Sequence, residues 1–233
     1  FAAPDGRVYL AVSGSEPGDN RVVVMDQTLG LLQAAEGYTA ASGEFVRFEE
    51  PMGLFVDTDG DIYICDGKTK EVLHLDAQFQ EKRIIPAPDA ENSSIINAEF
   101  TERYRPSKLA VDPTGRIHVV AININEGIVE FEPDGTFTGF LAAGKVKYST
   151  IELLWRRFST EEQRARMQDF VPVEYNNIEL DGDGYLFATL AAMDENAVLG
   201  DIQASISSGV DAGGSSDQGM VVRRINYRGS DIL

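Results

Sequence analysis

Four stretches of the chain repeat a single pattern of apolar and polar positions. In the clearest, residues 51–66, an apolar run at 54–56 meets Asp57, a turn carries Asp59 and Gly60, and a second apolar run fills 62–65. A segment of alternating apolar and polar character then covers 72–76. The third copy runs over 106–120 and 127–132, the fourth over 177–189 and 221–226. The first starts part-way, at 5–11, and continues through 21–26. The glycines that anchor the four turns, Gly6, Gly60, Gly115 and Gly184, are 54, 55 and 69 residues apart. Apolar runs joined by an Asp/Gly turn predict hairpins, and the alternating segment predicts a half-buried third strand. Edge-like fourth strands are expected at 31–34, 81–85, 137–141 and 230–233. Three or four short strands in each repeated unit of roughly 50 residues predict the blades of a β-propeller. The expected fold is all-β, a single domain over 1–233 with about four blades. Copy one lacks its first strand, so the natural ring is expected to be larger than this chain or to close through a shared blade.

The pattern Pro-x-Gly-Leu-x-Val-Asp-x-x-Gly-x-Ile-Tyr-x-x-Asp over residues 51–66 resembles an NHL repeat. The third copy keeps the proline as Pro106, the fourth has Asn177 in its place, and both lose the aspartate after the second strand. The resemblance implies an NHL-like propeller, of a kind that usually has more than four blades.

In such a blade the connections between strands two and three, and from strand four to the next blade, open on one face. The remaining turns open on the other. The long irregular segments, 13–20, 35–50, 86–105, 142–175 and 191–219, all belong to the first class, which points to that face for binding. Two of them differ in kind. Residues 149–170 carry two capping boxes, Ser149 with Glu152 and Ser159 with Glu162, predicting a two-helix insertion over 150–157 and 160–169. Its stripe of Ile151, Leu154, Trp155 and Phe158 reads first as a face packed on the blade rim, and second as a lid or partner arm anchored by Trp155. The stretch around 153–172 resembles an insert of bacterial NHL-repeat proteins of the cell envelope. Residues 191–219 include a Gly/Ser/Asp run with no apolar period and read as a flexible loop.

Charge narrows the partners. Twenty Lys and Arg against 38 Asp and Glu give a formal net charge of −18. A surface so acidic repels nucleic acid and anionic lipid. No apolar run approaches the roughly 18 residues of a membrane span. Cys65 is the single cysteine, so no internal disulfide and no CxxC metal site can form. The absence of an initiator Met or signal-peptide pattern at Phe1 suggests a trimmed piece of a longer protein.

Candidate chemistry is sparse. GxSxG, HExxH and phosphate-binding glycine loops are absent, so no catalytic residue is assigned. His74 and His118 lie in unlike strands and read as packed histidines. The runs 57–61 and 181–184 suit hairpin turns and lack the spacing of calcium loops. The starts of the innermost strands offer Glu50, Arg105, Tyr175, Asn176 and Asn177, with Tyr104 and Trp155 as further aromatic candidates for ligand binding. The leading expectation is a non-enzymatic recognition scaffold, without a cofactor, that binds a protein, peptide or glycan through the loop-rich face. A more distant similarity to gluconolactonase-like propellers implies the alternative, a metal-dependent hydrolase or lyase using the central channel. There Glu50 and Asn177 are the weak candidates for ligating Ca²⁺. The resemblance also implies an extracellular or cell-envelope location, with any anchor outside this chain.

Overall fold

The structure, a computed structural model, describes residues 1–16, 18–91, 93–142, 174–190, 222–226 and 232. It resolves the repeats into a succession of antiparallel sheets in which each strand pairs with the next in sequence. The first sheet holds β1 (Val8–Val12), β2 (Arg21–Met25) and β3 (Leu31–Ala35). A small hairpin, β4 (Gly37–Thr39) and β5 (Phe45–Arg47), follows. Two four-stranded sheets come next: β6 (Pro51–Val56), β7 (Ile62–Asp66), β8 (Glu71–Leu75) and β9 (Glu81–Ile85), then β10 (Arg105–Val111), β11 (Ile117–Ile122), β12 (Ile128–Phe131) and β13 (Phe137–Leu141). The last comprises β14 (Tyr175–Leu180), β15 (Leu186–Leu190) and β16 (Val222–Ile225). A short helix, α1 (Ala98–Arg103), precedes β10.

These sheets are propeller blades. The first strands touch in succession, β6 against β10 and β10 against β14, and the second strand of each blade packs on the first strand of the next: β1 on β6, β7 on β10, β11 on β14. Ahead of β1, Ala2 pairs with Val8 through an isolated antiparallel bridge. The fourth strands expected in the first three blades are β3, β9 and β13. Of the segment expected at 230–233, Ile232 donates its N–H to the Arg224 carbonyl at 2.9 Å.

Apolar seams between blades hold the arc together. Tyr9, Val22 and Val24 of blade one meet Ile62, Ile64, Leu73 and Leu75 of blade two. Tyr63, Cys65 and Val72 of blade two meet Ile117, Val119, Val129 and Phe131 of blade three. Ala110, Val120 and Ile128 of blade three meet Leu186, Ala188 and Ile225 of blade four. Each blade thus has a forward face toward the next blade and a backward face toward the previous one. Because both faces of a middle blade are covered, β7 and β11 are buried almost throughout, as their continuous apolar runs require. At the first-strand seam, Gly53 lets two backbones approach: a Cβ there would lie 2.3 Å from the Ser107 carbonyl oxygen.

Two connections carry structure that the repeat pattern does not announce. The β4–β5 hairpin buries Tyr38 beside Phe48, which meets Phe79 edge-on at 6.4 Å between ring centres. Phe79 holds φ at 58° to make that contact, in a turn position where the next blade has Gly135. Helix α1 is capped by Asn97, whose Oδ1 accepts from the Phe100 N–H at 2.8 Å, and it buries Phe100. The helices expected over 150–157 and 160–169, with Trp155, and the loop expected over 191–219 lie outside the described residues. Among the described residues, α1 is the one helix, and none is long and apolar enough to cross a membrane.

Candidate functional site

The starts of the inner strands and the turns between second and third strands lie on the same face, and hydrogen bonds tie them together. Ser13 Oγ donates to the Pro51 carbonyl at 2.6 Å, and Asn20 Nδ2 donates to the Glu49 carbonyl at 2.7 Å. The Gly67 N–H donates to the Glu50 carbonyl at 2.9 Å. Lys70 Nζ reaches the carbonyls of Thr101 and Glu102 at the end of α1, and Arg103 Nη1 reaches the Asn123 carbonyl at 2.8 Å. The shared face that strand order implies is therefore a physically connected surface.

At its centre stands Asp66, the last residue of β7, 1% exposed. Its Oδ2 accepts from the Glu49 N–H at 2.8 Å, both oxygens accept from the Glu50 N–H at 3.0 and 3.1 Å, and Oδ1 accepts from the N–H groups of Lys68 and Thr69 at 3.1 and 3.2 Å. One buried carboxylate thus fixes both the turn after β7 and the lead-in to β6. A buried charge is tolerated only with this degree of hydrogen bonding.

That clamp sets Glu50, which forms a two-point ion pair with Arg105 from the next inner strand. Arg105 Nε lies 3.2 Å from Glu50 Oε2, and Nη2 bonds Oε1. The pair bridges blades two and three at the mouth of the axis. Gly67 leaves room for it, since a Cβ there would come within 2.8 Å of Glu50 Oε2 and 3.2 Å of Arg105 Nε. Lys108 Nζ, one turn of the pleat further in, points to the Met52 carbonyl at 3.4 Å.

The remaining sequence candidates separate. Tyr104 is buried beside Phe100, the two rings stacked with centroids 6.0 Å apart and planes inclined by 28°, not displayed on the loop face. Its place at the end of the long connection over 86–105 is what made it read as a loop-face residue. Burial pushes its hydroxyl well above the ordinary tyrosine range, and that hydroxyl has no hydrogen-bond partner among the described residues. Tyr175 is also buried, and its hydroxyl donates to the Ala142 carbonyl at 2.9 Å. Asn176 accepts from the Thr189 hydroxyl on the adjacent strand, and Asn177 is exposed. The structure brings together Glu50 and Arg105, and it pairs Asn177 with Thr189 across β14 and β15. Trp155 lies outside the described residues. Among the described residues no three His, Cys, Asp or Glu side chains gather in a geometry suited to a metal ion.

The opposite face is made of short turns with one chemistry. Asp57, Asp112 and Asp181 each use Oδ1 to accept the N–H groups two and four residues on, at 2.8–3.1 Å. Asp26 and Asp76 do the same between third and fourth strands. Gly60, Gly115 and Gly184 hold φ near 85° to close the turns. In the runs that might suggest calcium, Asp57 and Asp181 are engaged by backbone amides, and Asp61 by His74 and Lys82. Asp112 is drawn further: burial acts to raise its pKa, but hydrogen bonds from His118, from the Thr114 hydroxyl and from backbone amides outweigh it and hold the carboxyl well below the usual range. His118 is enclosed, with Nε2 at 3.4 Å from Asp112 and Nδ1 at 3.8 Å from Glu130. His74 stacks on Tyr63 at 4.2 Å and bonds Asp61 at 2.9 Å. Both histidines are thus structural parts of blades, as their strand positions suggest. Cys65 is fully enclosed, and burial pushes its thiol far above the ordinary range.

No family model matches the chain. Several solved structures are similar in arrangement. A virginiamycin B lyase from Staphylococcus aureus, solved with quinupristin, is 12% identical with a TM-score of 0.49, covering 100% of this chain and 53% of its own. A gluconolactonase from Xanthomonas campestris is 14% identical with a TM-score of 0.48, covering 82% and 52%. PorZ, a bacterial surface component of the type-IX secretion system of Porphyromonas gingivalis, is 10% identical with a TM-score of 0.46, covering 81% and 24%. The chain therefore spans about half, or less, of each of these. At such identities and scores none of them assigns chemistry to this chain. What the chain shares with them is the β-propeller, and its repeats are propeller blades.

Proposed function

We propose that the chain is a recognition scaffold that binds a peptide, protein or glycan on the face formed by its long connections, around the Glu50–Arg105 pair. The observation that carries this reading is the mutual satisfaction of the polar groups at the mouth. Glu50 is committed to Arg105, Asp66 to four backbone amides, and Asn176 to Thr189. Such groups fix the shape of a surface; none of them stands as a free base or nucleophile. The net charge of −18 favours ligands that are neutral or basic.

The alternative is a calcium-dependent hydrolase acting at the same mouth. It requires a cation beside Glu50, where Arg105 now supplies the positive charge, so the ion pair must open before metal binds. The scaffold reading carries with it an extracellular or cell-envelope location, where such a ligand would be met.

The test is a screen of the purified chain on peptide and glycan arrays, repeated with Arg105→Ala. The scaffold reading expects a retained ligand whose affinity falls at least tenfold in the variant. Calcium-dependent hydrolysis of a lactone panel, with a melting temperature raised by calcium and returned by chelator, would overturn it.

A further inference from the structure

Two seams of the arc differ at their outer rim. Between blades two and three, β9 closes on the glycine of the next blade's outer turn: a Cβ at Gly135 would lie 3.2 Å from Ile85 and 3.7 Å from Arg83. Between blades one and two, strand register places Ala35 and Gln33 of β3 where Ile85 and Arg83 stand, and the turn residue they face is Phe79. The smaller Ala35 does not close the gap, the β4–β5 hairpin lies alongside, and a groove of about 340 Å³ remains, lined by Gln33, Ala35, Gly37, Phe45, Gln78 and Phe79. Its walls come from two adjoining blades and the hairpin between them.

The groove is aromatic and acidic. Phe45 is 56% exposed, and the Arg47 guanidinium stands over its ring at 5.9 Å, so this ring already serves a cation. Glu36 also lines the groove and pairs with Arg47. Glu81 accepts the Ala41 N–H at 3.1 Å, and Asp76 accepts the amides of Gln78 and Gln80 at the far wall. The negative field reaches Tyr38 in the lining, whose hydroxyl is raised above the ordinary tyrosine range by burial and then by the carboxylates of Glu71, Glu81 and Asp66. The hairpin adds a strand edge. Phe48 donates to the Glu36 carbonyl and Ala40 to that of Glu44, so the alternation of an antiparallel pair turns the N–H and C=O groups of Phe45 and Arg47 away from β4. Among the described residues no strand pairs with β5 on that side. We infer that the groove takes an arginine or lysine side chain from an extended segment of a partner protein, the cationic head between the Phe45 ring and the Glu36 carboxylate and the backbone along the edge of β5. This rim site is apart from Glu50 and Arg105 and is independent of what the loop face binds.

Fluorescence anisotropy with a labelled Thr-Val-Arg-Val-Thr peptide, and with its citrulline counterpart, which keeps the shape and loses the charge, tests it at about 0.15 M ionic strength, where long-range attraction to an acidic protein is screened. The arginine peptide is expected to bind at least tenfold more tightly than the citrulline peptide. Phe45→Ser and Glu36→Gln, both at exposed side chains, are each expected to weaken the arginine peptide at least fivefold with an unchanged circular-dichroism spectrum. Glu91→Gln removes the same charge as Glu36→Gln from the connection between blades two and three, and is expected to leave the affinity as it is. Equal affinity for the two peptides, or no binding of either, would overturn the inference. An affinity unchanged in Phe45→Ser, or lowered as much by Glu91→Gln as by Glu36→Gln, would overturn it as well, placing the peptide elsewhere or reducing its attraction to net charge.

Discussion

Replacing Asp66 with alanine isolates the device that holds the loop face in shape. The carboxylate is buried and receives four amide N–H groups. A hydrogen bond to a charged group contributes about 1.5–3 kcal/mol, and a buried amide left unpaired costs about 1–3 kcal/mol. The amides of Lys68 and Thr69 lie on an exposed turn and can return to water, so the loss falls chiefly on Glu49 and Glu50. Two such contacts give a destabilisation of about 3–5 kcal/mol, a large share of the 5–15 kcal/mol typical of a domain. Asp66→Asn keeps Oδ1 for Lys68 and Thr69 but turns an NH₂ group toward the Glu49 N–H, so its cost is expected near 2 kcal/mol. Urea unfolding followed by circular dichroism measures both, with the slope of the transition checked for constancy. Hydrogen exchange should show the loss of protection centred on residues 49–51. A cost below about 1 kcal/mol for Asp66→Ala would refute the idea that this carboxylate organises the face.

Other expectations follow from the packing. Gly53→Ala drives a methyl into the Ser107 carbonyl at the inner seam and is expected to destabilise by about 3 kcal/mol, read from the same urea transition. Cys65, enclosed and held as the thiol, should react with an aromatic disulfide reagent only at the rate of unfolding; rapid labelling of native protein would contradict its burial. Asp112 has a folded pKa below its unfolded value, so its contribution to stability is present above about pH 4 and is lost as pH falls through the lower folded value. Asp112→Asn, which keeps an acceptor for the turn, should therefore flatten the decline of stability below pH 4, as measured by urea midpoints across an acid series.

The blades were legible because their signals are local. An apolar run, an aspartate whose side chain takes the next amides, and a glycine able to hold positive φ together specify a hairpin wherever they recur, as at Asp57–Gly60 and Asp112–Gly115. Fixed strand order then assigns the long connections to one face before any coordinate is known. The parts that escaped the sequence depend on distant partners. Helix α1 is six residues long, too short to show a period, and is held by Phe100 in the core of blades two and three. The β4–β5 hairpin breaks the repeat and owes its place to Tyr38 and Phe48 packing near Phe79. Tyr104 stands at the end of the long connection over 86–105, and only the fold turns its ring inward. Glu50 and Arg105 are 55 residues apart, and their pairing follows from two inner strands lying side by side rather than from either local sequence. The role of Asp66 was half visible: copy two alone of the last three ends its second strand in aspartate, which marks a function particular to that blade.

The most direct test of the account is hydrogen exchange of the intact chain with and without a ligand recovered from the arrays. Binding at the loop-rich face predicts protection at residues 49–51, 67–70, 103–105 and 123–127. Protection confined to the aspartate turns at 57–61, 112–116 and 181–185 would place recognition on the opposite face and contradict the central claim.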